Sequence, residues 1–129
     1  MTKNKLVLFD IDHTLFDTEK FKASKLTDYF LYDEVLEILE KLSKISELGI
    51  FSQGKLEFQK TKVTNTSIGR FFEKHNIHIF EDKSLNLEKV LCKYKNYKIF
   101  LVDDRLNILC FAKKSMPSII TVWIKRGPH

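Results

Sequence analysis

The chain has 129 residues, 43% of them apolar and 30% charged, which suits one packed domain and excludes a disordered or fibrous protein. Its 22 Lys and Arg outnumber 17 Asp and Glu, for a net charge of +5. The lysines (Lys41, Lys44, Lys60, Lys62, Lys93, Lys95 and Lys98 among them) are scattered, which describes a solvated surface with a general attraction for anions, not a nucleic-acid-binding block.

No apolar run approaches the roughly 20 residues that span a bilayer. The start, Met1-Thr2-Lys3-Asn4-Lys5, runs directly into a strand-like segment carrying Asp10 and does not read as a secretory leader. Cys92 and Cys110 lie in helix-like segments without metal-ligand spacing. They read as reduced, semi-buried packing residues, which fits a cytoplasmic protein.

In chain order, the first predicted element is a strand at residues 5–9, an apolar run that ends in Asp10-Ile11-Asp12-His13-Thr14-Leu15. Burying carboxylates costs several kcal/mol unless something compensates, so a pair of acids at a strand end points to a metal or to acid–base work. Val35, Leu36, Leu39 and Leu42 then recur at helical spacing, with Asp33 placed to cap the helix. A second strand at 48–51 ends in Ser52-Gln53-Gly54. Phe58 and Lys62 mark a helix, and residues 68–72 a shorter one.

A third strand at 77–80 is followed by Lys83. Leu87, Val90, Leu91 and Tyr94 form an apolar stripe, with Ser84 as its cap. The fourth strand, 98–102, ends in Asp103-Asp104. Ile108, Phe111 and Ala112 make a last helix before Pro117, and residues 119–124 a fifth strand. His75 and His78 have no neighbouring metal-binding partners and are expected to face solvent.

Strands alternating with helices predict an α/β fold: a Rossmann-like three-layer sandwich around an open, mostly parallel five-stranded sheet. Ligands bind such sheets outside the carboxyl ends of the strands. The acids, Ser52 and Lys83 all fall there. Oxygen donors without nearby His or Cys favour a hard ion, Mg²⁺ being the natural choice.

With those residues assembled, the chain resembles the haloacid dehalogenase (HAD) superfamily, and within it the aspartate-nucleophile phosphatases. Asp10-Ile11-Asp12-His13-Thr14 matches the superfamily's DxDxT motif, Ser52 its second motif and Asp103-Asp104 its fourth. Lys83 is assigned to the third, with Lys60 and Lys62 competing for that role. The resemblance implies a Mg²⁺-dependent phosphomonoesterase. Asp10 would be nucleophile, Asp12 general acid and base, and Ser52, Lys83, Gln53 and Thr14 the phosphate-binding residues. Thr14 would chiefly steady the loop. Mg²⁺ would be held by Asp10, the backbone carbonyl of Asp12, Asp103 and Asp104.

The sequence departs from the family pattern at Asn107, where many members carry a further acid, and at Gln53, often Asn. Only residues 16–32 remain for a flap between Asp12 and the segment leading to Ser52. The resemblance therefore implies a single core domain over residues 1–129 with no separate cap domain. Its open site suits a phosphorylated macromolecule, or a small molecule if a homo-oligomer supplies the lid. Nucleic acid enters only as a substrate, and no membrane partner is expected. Phe21 and Tyr29-Phe30-Leu31-Tyr32 would serve as such an interface or, more simply, as core. The alternatives are an inactive HAD-like domain that binds a phosphorylated ligand, and a receiver-like phospho-acceptor domain, which the position of the acid pair disfavours.

Overall fold

The computed structural model describes residues 4–127, so the Met1–Lys3 part of the leader reading lies outside it. Five strands, β1 (Lys5–Phe9), β2 (Glu47–Gln53), β3 (Ile77–Phe80), β4 (Lys98–Asp103) and β5 (Ile120–Trp123), form one sheet in the order β3-β2-β1-β4-β5. Every neighbouring pair is parallel. Five helices accompany them: α1 (Thr18–Ala23), α2 (Val35–Ser43), α3 (Leu56–Asn65), α4 (Leu87–Cys92) and α5 (Leu106–Ser115).

The two-residue period of β1 sorts the core into layers. Val7 and Phe9 pack with Val35 and Leu39 of α2 and Val63 of α3. Leu6 and Leu8 pack with Leu87, Val90 and Leu91 of α4 and with Ile108, Leu109 and Ala112 of α5. Each such side chain contributes about 1.5–3 kcal/mol by leaving water. This is the three-layer α/β sandwich read from the sequence, with a sheet that is wholly parallel among the described residues.

Strand order reverses between β1 and β4, which opens a crevice at their carboxyl ends. Phe9 is in register with Val102, and the Asp10 N–H bonds the Val102 carbonyl at 3.0 Å. Asp10 and Asp103 therefore leave the sheet side by side.

Residues 16–32 hold the short α1 and an isolated antiparallel bridge between Phe16 and Leu31; the first turn of α1 is capped by the Asp17 carboxylate accepting from the Lys20 N–H at 3.2 Å. Phe21 is buried and stacks on Phe16 and Tyr29, and Leu31 and Tyr32 pack on the same core, so most of these aromatics are core; Phe30 is exposed.

Several local expectations need correction. Asp33 does not cap α2: the cap position is Glu34, without a side-chain bond, and the Val35 N–H instead bonds the Tyr32 carbonyl. Ser84 sits in a 3-10 turn and donates to Asp82, while α4 starts after Asn86. The short helix at 68–72 is a 3-10 turn, Gly69–Phe71. Cys92 and Cys110 are exposed, not semi-buried. His78 is buried, because its face of the edge strand β3 is covered by Tyr94, whose hydroxyl lies 2.6 Å from His78 Nε2.

Candidate active site

The carboxyl ends of β1, β3 and β4 deliver a buried charge cluster. Asp10, Asp103 and Asp104 are all buried, and one carboxylate oxygen from each lies within 4.8 Å of the others. Among them stands Lys83, 1% exposed, with Nζ 2.5 Å from Asp103 Oδ2 and 3.4 Å from Asp10 Oδ1. The turn after β3 holds Lys83 there because its N–H donates to Gln53 Oε1 at 3.0 Å. The second oxygen of Asp103 accepts the Arg105 N–H at 2.9 Å.

Burial dominates the electrostatics here. It drives Asp10 well above the ordinary carboxylate range, Lys83 pulls the other way, and Asp103 and Asp104 add to the rise. Burial likewise raises Asp104. For Lys83, burial works against the ammonium but is outweighed by Asp10 and Asp103, so its pKa is raised. Three buried carboxyl groups thus share one ammonium. Asp104 Oδ2 is buried with no hydrogen-bond partner among the described residues. A buried carboxylate oxygen of that kind, in an all-oxygen donor set, fits a hard divalent cation.

Asp12 belongs to a different set of contacts. Its Oδ1 accepts from Lys62 Nζ at 2.7 Å and Thr18 Oγ1 at 3.1 Å, and its Oδ2 from Gln59 Nε2 at 3.2 Å. The turn that presents it is tight. The N–H groups of Thr14, Leu15 and Phe16 all point at the Ile11 carbonyl, and His13 adopts a positive φ of 61°.

Asp10, Asp12, Gln53, Lys62, Lys83 and Asp104 line one cavity of about 310 Å³, which Lys22, Leu26, Phe58 and Arg105 also line. Ser52 is fully buried at the end of β2, with Oγ accepting from Gln59 Nε2 at 2.8 Å. The structure thus brings Asp10, Asp12, Gln53, Lys83 and Asp104 to a single cavity, with Asp103 behind Lys83. Lys60 is exposed, and Lys62 meets Asp12, which leaves Lys83 beside Asp10.

Three further residues of the sequence reading are placed as follows. Thr14 lines a second cavity of about 430 Å³ between α2 and the β1, β4 and β5 side of the sheet, and its buried hydroxyl has no hydrogen-bond partner among the described residues. Gln53 uses its carbonyl oxygen to hold the Lys83 loop. Asn107 is exposed on the first turn of α5, outside the acid cluster.

Gln59, Thr18 and Arg105 escaped sequence reasoning. Gln59 lies three residues before Lys62 on a helix that lacks an apolar stripe, and a polar residue on the face of such a helix is the one signal that could have marked it.

No protein-family model matches the chain, and no curated protein matches it by sequence. Solved structures match by shape. A haloacid dehalogenase-like hydrolase from Burkholderia xenovorans LB400 superposes with a TM-score of 0.83 at 20% identity, over 98% of this chain and 84% of that one. A haloacid dehalogenase-like family hydrolase from Streptococcus pneumoniae gives 0.73 at 15% identity, over 95% and 85%. A Clostridium difficile protein described as a phosphatase gives 0.71 at 19% identity, over 95% and 86%. The chain has the fold of the haloacid dehalogenase-like hydrolases.

Proposed function

We propose that the protein is a Mg²⁺-dependent phosphomonoesterase that works through an aspartyl-phosphate on Asp10. The observation that carries this reading is the buried Lys83 ammonium beside both Asp10 and Asp103, at the edge of an open cavity. A phosphate entering that cavity meets the Asp10 carboxylate with a cation already fixed next to it.

Asp10 attacks phosphorus as the ester oxygen departs, forming one P–O bond and breaking another. Asp12 gives its proton to the leaving oxygen. It later takes one from the water that cleaves the phosphoryl group from Asp10. Lys83, which lines the cavity, faces the negative charge of the phosphoryl oxygens. Asp10, Asp103 and Asp104 would hold Mg²⁺, which when bound neutralises charge between carboxylate and phosphate. Small phosphoesters and phosphorylated macromolecules both suit an entrance that, among the described residues, lies beside the short α1.

Phosphate release from phosphorylated sugars, nucleotides, peptides and nucleic-acid ends tests the reading. Asp10→Asn is expected to abolish Mg²⁺-dependent release. An unchanged rate in that variant refutes the mechanism.

A further inference from the structure

Asp12 is held by groups that lie outside the Asp10, Asp103 and Asp104 cluster. Two of them come from α3. Gln59 and Lys62 are three residues apart, about one helical turn, so they share a face of the helix. Both are buried, at 1% and 3% exposure, and with Val63 they are the buried residues of α3. Most helices dock on a sheet through apolar side chains; this one places an amide and an ammonium against it. Burying such groups costs several kcal/mol unless each finds a partner, and both find Asp12.

The surroundings of Lys62 are built for a fixed cation. Its ammonium lies 2.7 Å from Asp12 Oδ1 and stands over the rings of Phe58 at 4.5 Å, Phe16 at 5.2 Å and Phe21 at 5.7 Å. One carboxylate and three aromatic faces replace the water it has lost. Gln59 is equally constrained. A side chain on Gly54, which has a φ of +148°, would come within 2.9 Å of Gln59 Cγ, so the amide lies against bare backbone. From there Gln59 Nε2 reaches Ser52 Oγ at 2.8 Å and Asp12 Oδ2 at 3.2 Å.

We propose that Lys62 and Gln59 are positioning residues that aim the Asp12 carboxylate at the leaving group. The inference rests on the reading of Asp12 as proton donor and acceptor. Proton transfer needs heavy atoms about 2.6–3.2 Å apart and aligned. A carboxylate on a short side chain turns freely about two bonds. Lys62 and Thr18 claim one oxygen and Gln59 the other, which removes that freedom. Lys62 differs from Lys83 in its partner: its ammonium meets Asp12, whereas that of Lys83 meets Asp10 and Asp103.

The test compares two esters in Mg²⁺: ethyl phosphate, whose leaving oxygen needs a proton, and 4-nitrophenyl phosphate, whose leaving group departs without one. Lys62→Met and Gln59→Leu are measured beside Asp12→Asn and Asp10→Asn. For Lys62→Met, kcat on ethyl phosphate is expected to fall about a hundredfold, against about threefold or less on 4-nitrophenyl phosphate, with KM held within about twofold. Gln59→Leu follows the same pattern more weakly. In the Asp12→Asn background neither replacement lowers kcat further.

Equal losses on both esters mean a merely structural role and overturn the inference. A raised KM with kcat preserved means phosphate binding and also overturns it. Turnover that survives Asp10→Asn strikes the aspartyl-phosphate mechanism itself. Should the parent hydrolyse neither ester, urea unfolding of Lys62→Met, Asp12→Asn and the double variant decides. The midpoint of the double variant is expected to fall no further than that of the worse single one. Additive losses overturn the proposed pairing.

Discussion

The Lys83 ammonium lies 2.5 Å from Asp103 Oδ2, and neither side chain has more than 2% of its surface in contact with solvent. Removing one partner of such a pair leaves a buried charge without compensation. Lys83→Met is expected to destabilise the fold by about 3–5 kcal/mol in divalent-free buffer, read from urea unfolding. Added Mg²⁺ should recover more of that loss in the variant than it adds to the parent. Equal Mg²⁺ effects in both proteins would show that Lys83 and the cation do not share the same acids.

Asp10 and Asp104 titrate above the ordinary value of 3.8, chiefly because burial disfavours their charge. The folded protein therefore keeps protons that the unfolded chain has released. Their contribution to stability is full below the ordinary carboxylate pKa and is lost as pH rises through the raised values. In EDTA, the urea midpoint is expected to decline over that interval, and Asp104→Asn should reduce the slope. A bound cation opposes the decline, by about 2.7 kcal/mol at a hundred times its Kd. An identical profile in EDTA and in MgCl₂ would contradict the assignment of these acids to a cation.

Burial lowers His78 from 6.5 to about 4, with Lys93 and His75 adding to the effect. A base whose pKa falls on folding contributes stability that is present above its unfolded value. That contribution is lost as pH drops from about 6.5 towards 4. His78→Gln, which retains a polar contact for the Tyr94 hydroxyl, is expected to be less sensitive than the parent across that window. The difference between the two urea profiles isolates this residue from the carboxylates. Parallel profiles would show that folding leaves the His78 pKa unshifted.

Short runs of branched and aromatic residues and the helical period were enough to locate every described strand and most helices, because parallel strands covered on both faces are nearly continuous in apolar character. Lys83 was legible from its place directly after β3, since side chains at the carboxyl ends of parallel strands converge. Other residues were hidden for physical reasons. Gln59 meets Ser52 and Asp12 across 7 and 47 residues of chain, and only a helix seated on the sheet makes those contacts. His78 read as solvent-facing because nothing in Ile77-His78-Ile79 reveals that Tyr94 covers it. Thr14 belongs to a recognisable motif, yet the turn around Ile11 rotates it towards the other cavity. Motifs name residues; the backbone decides which way they point.

The amide of Gln59 also fixes the polarity of its neighbours. Asp12 Oδ2 accepts from the nitrogen of Gln59, and the second hydrogen of that nitrogen goes to Ser52 Oγ. Ser52 therefore spends a lone pair on this bond and keeps its own hydrogen. Ser52 is fully buried and outside the lining of the cavity, so its part in this chain of bonds is to hold the Gln59 amide against Asp12. Exchanging the amide for a carboxylate, as in Gln59→Glu, would turn the chain of bonds around and draw the serine hydrogen inward.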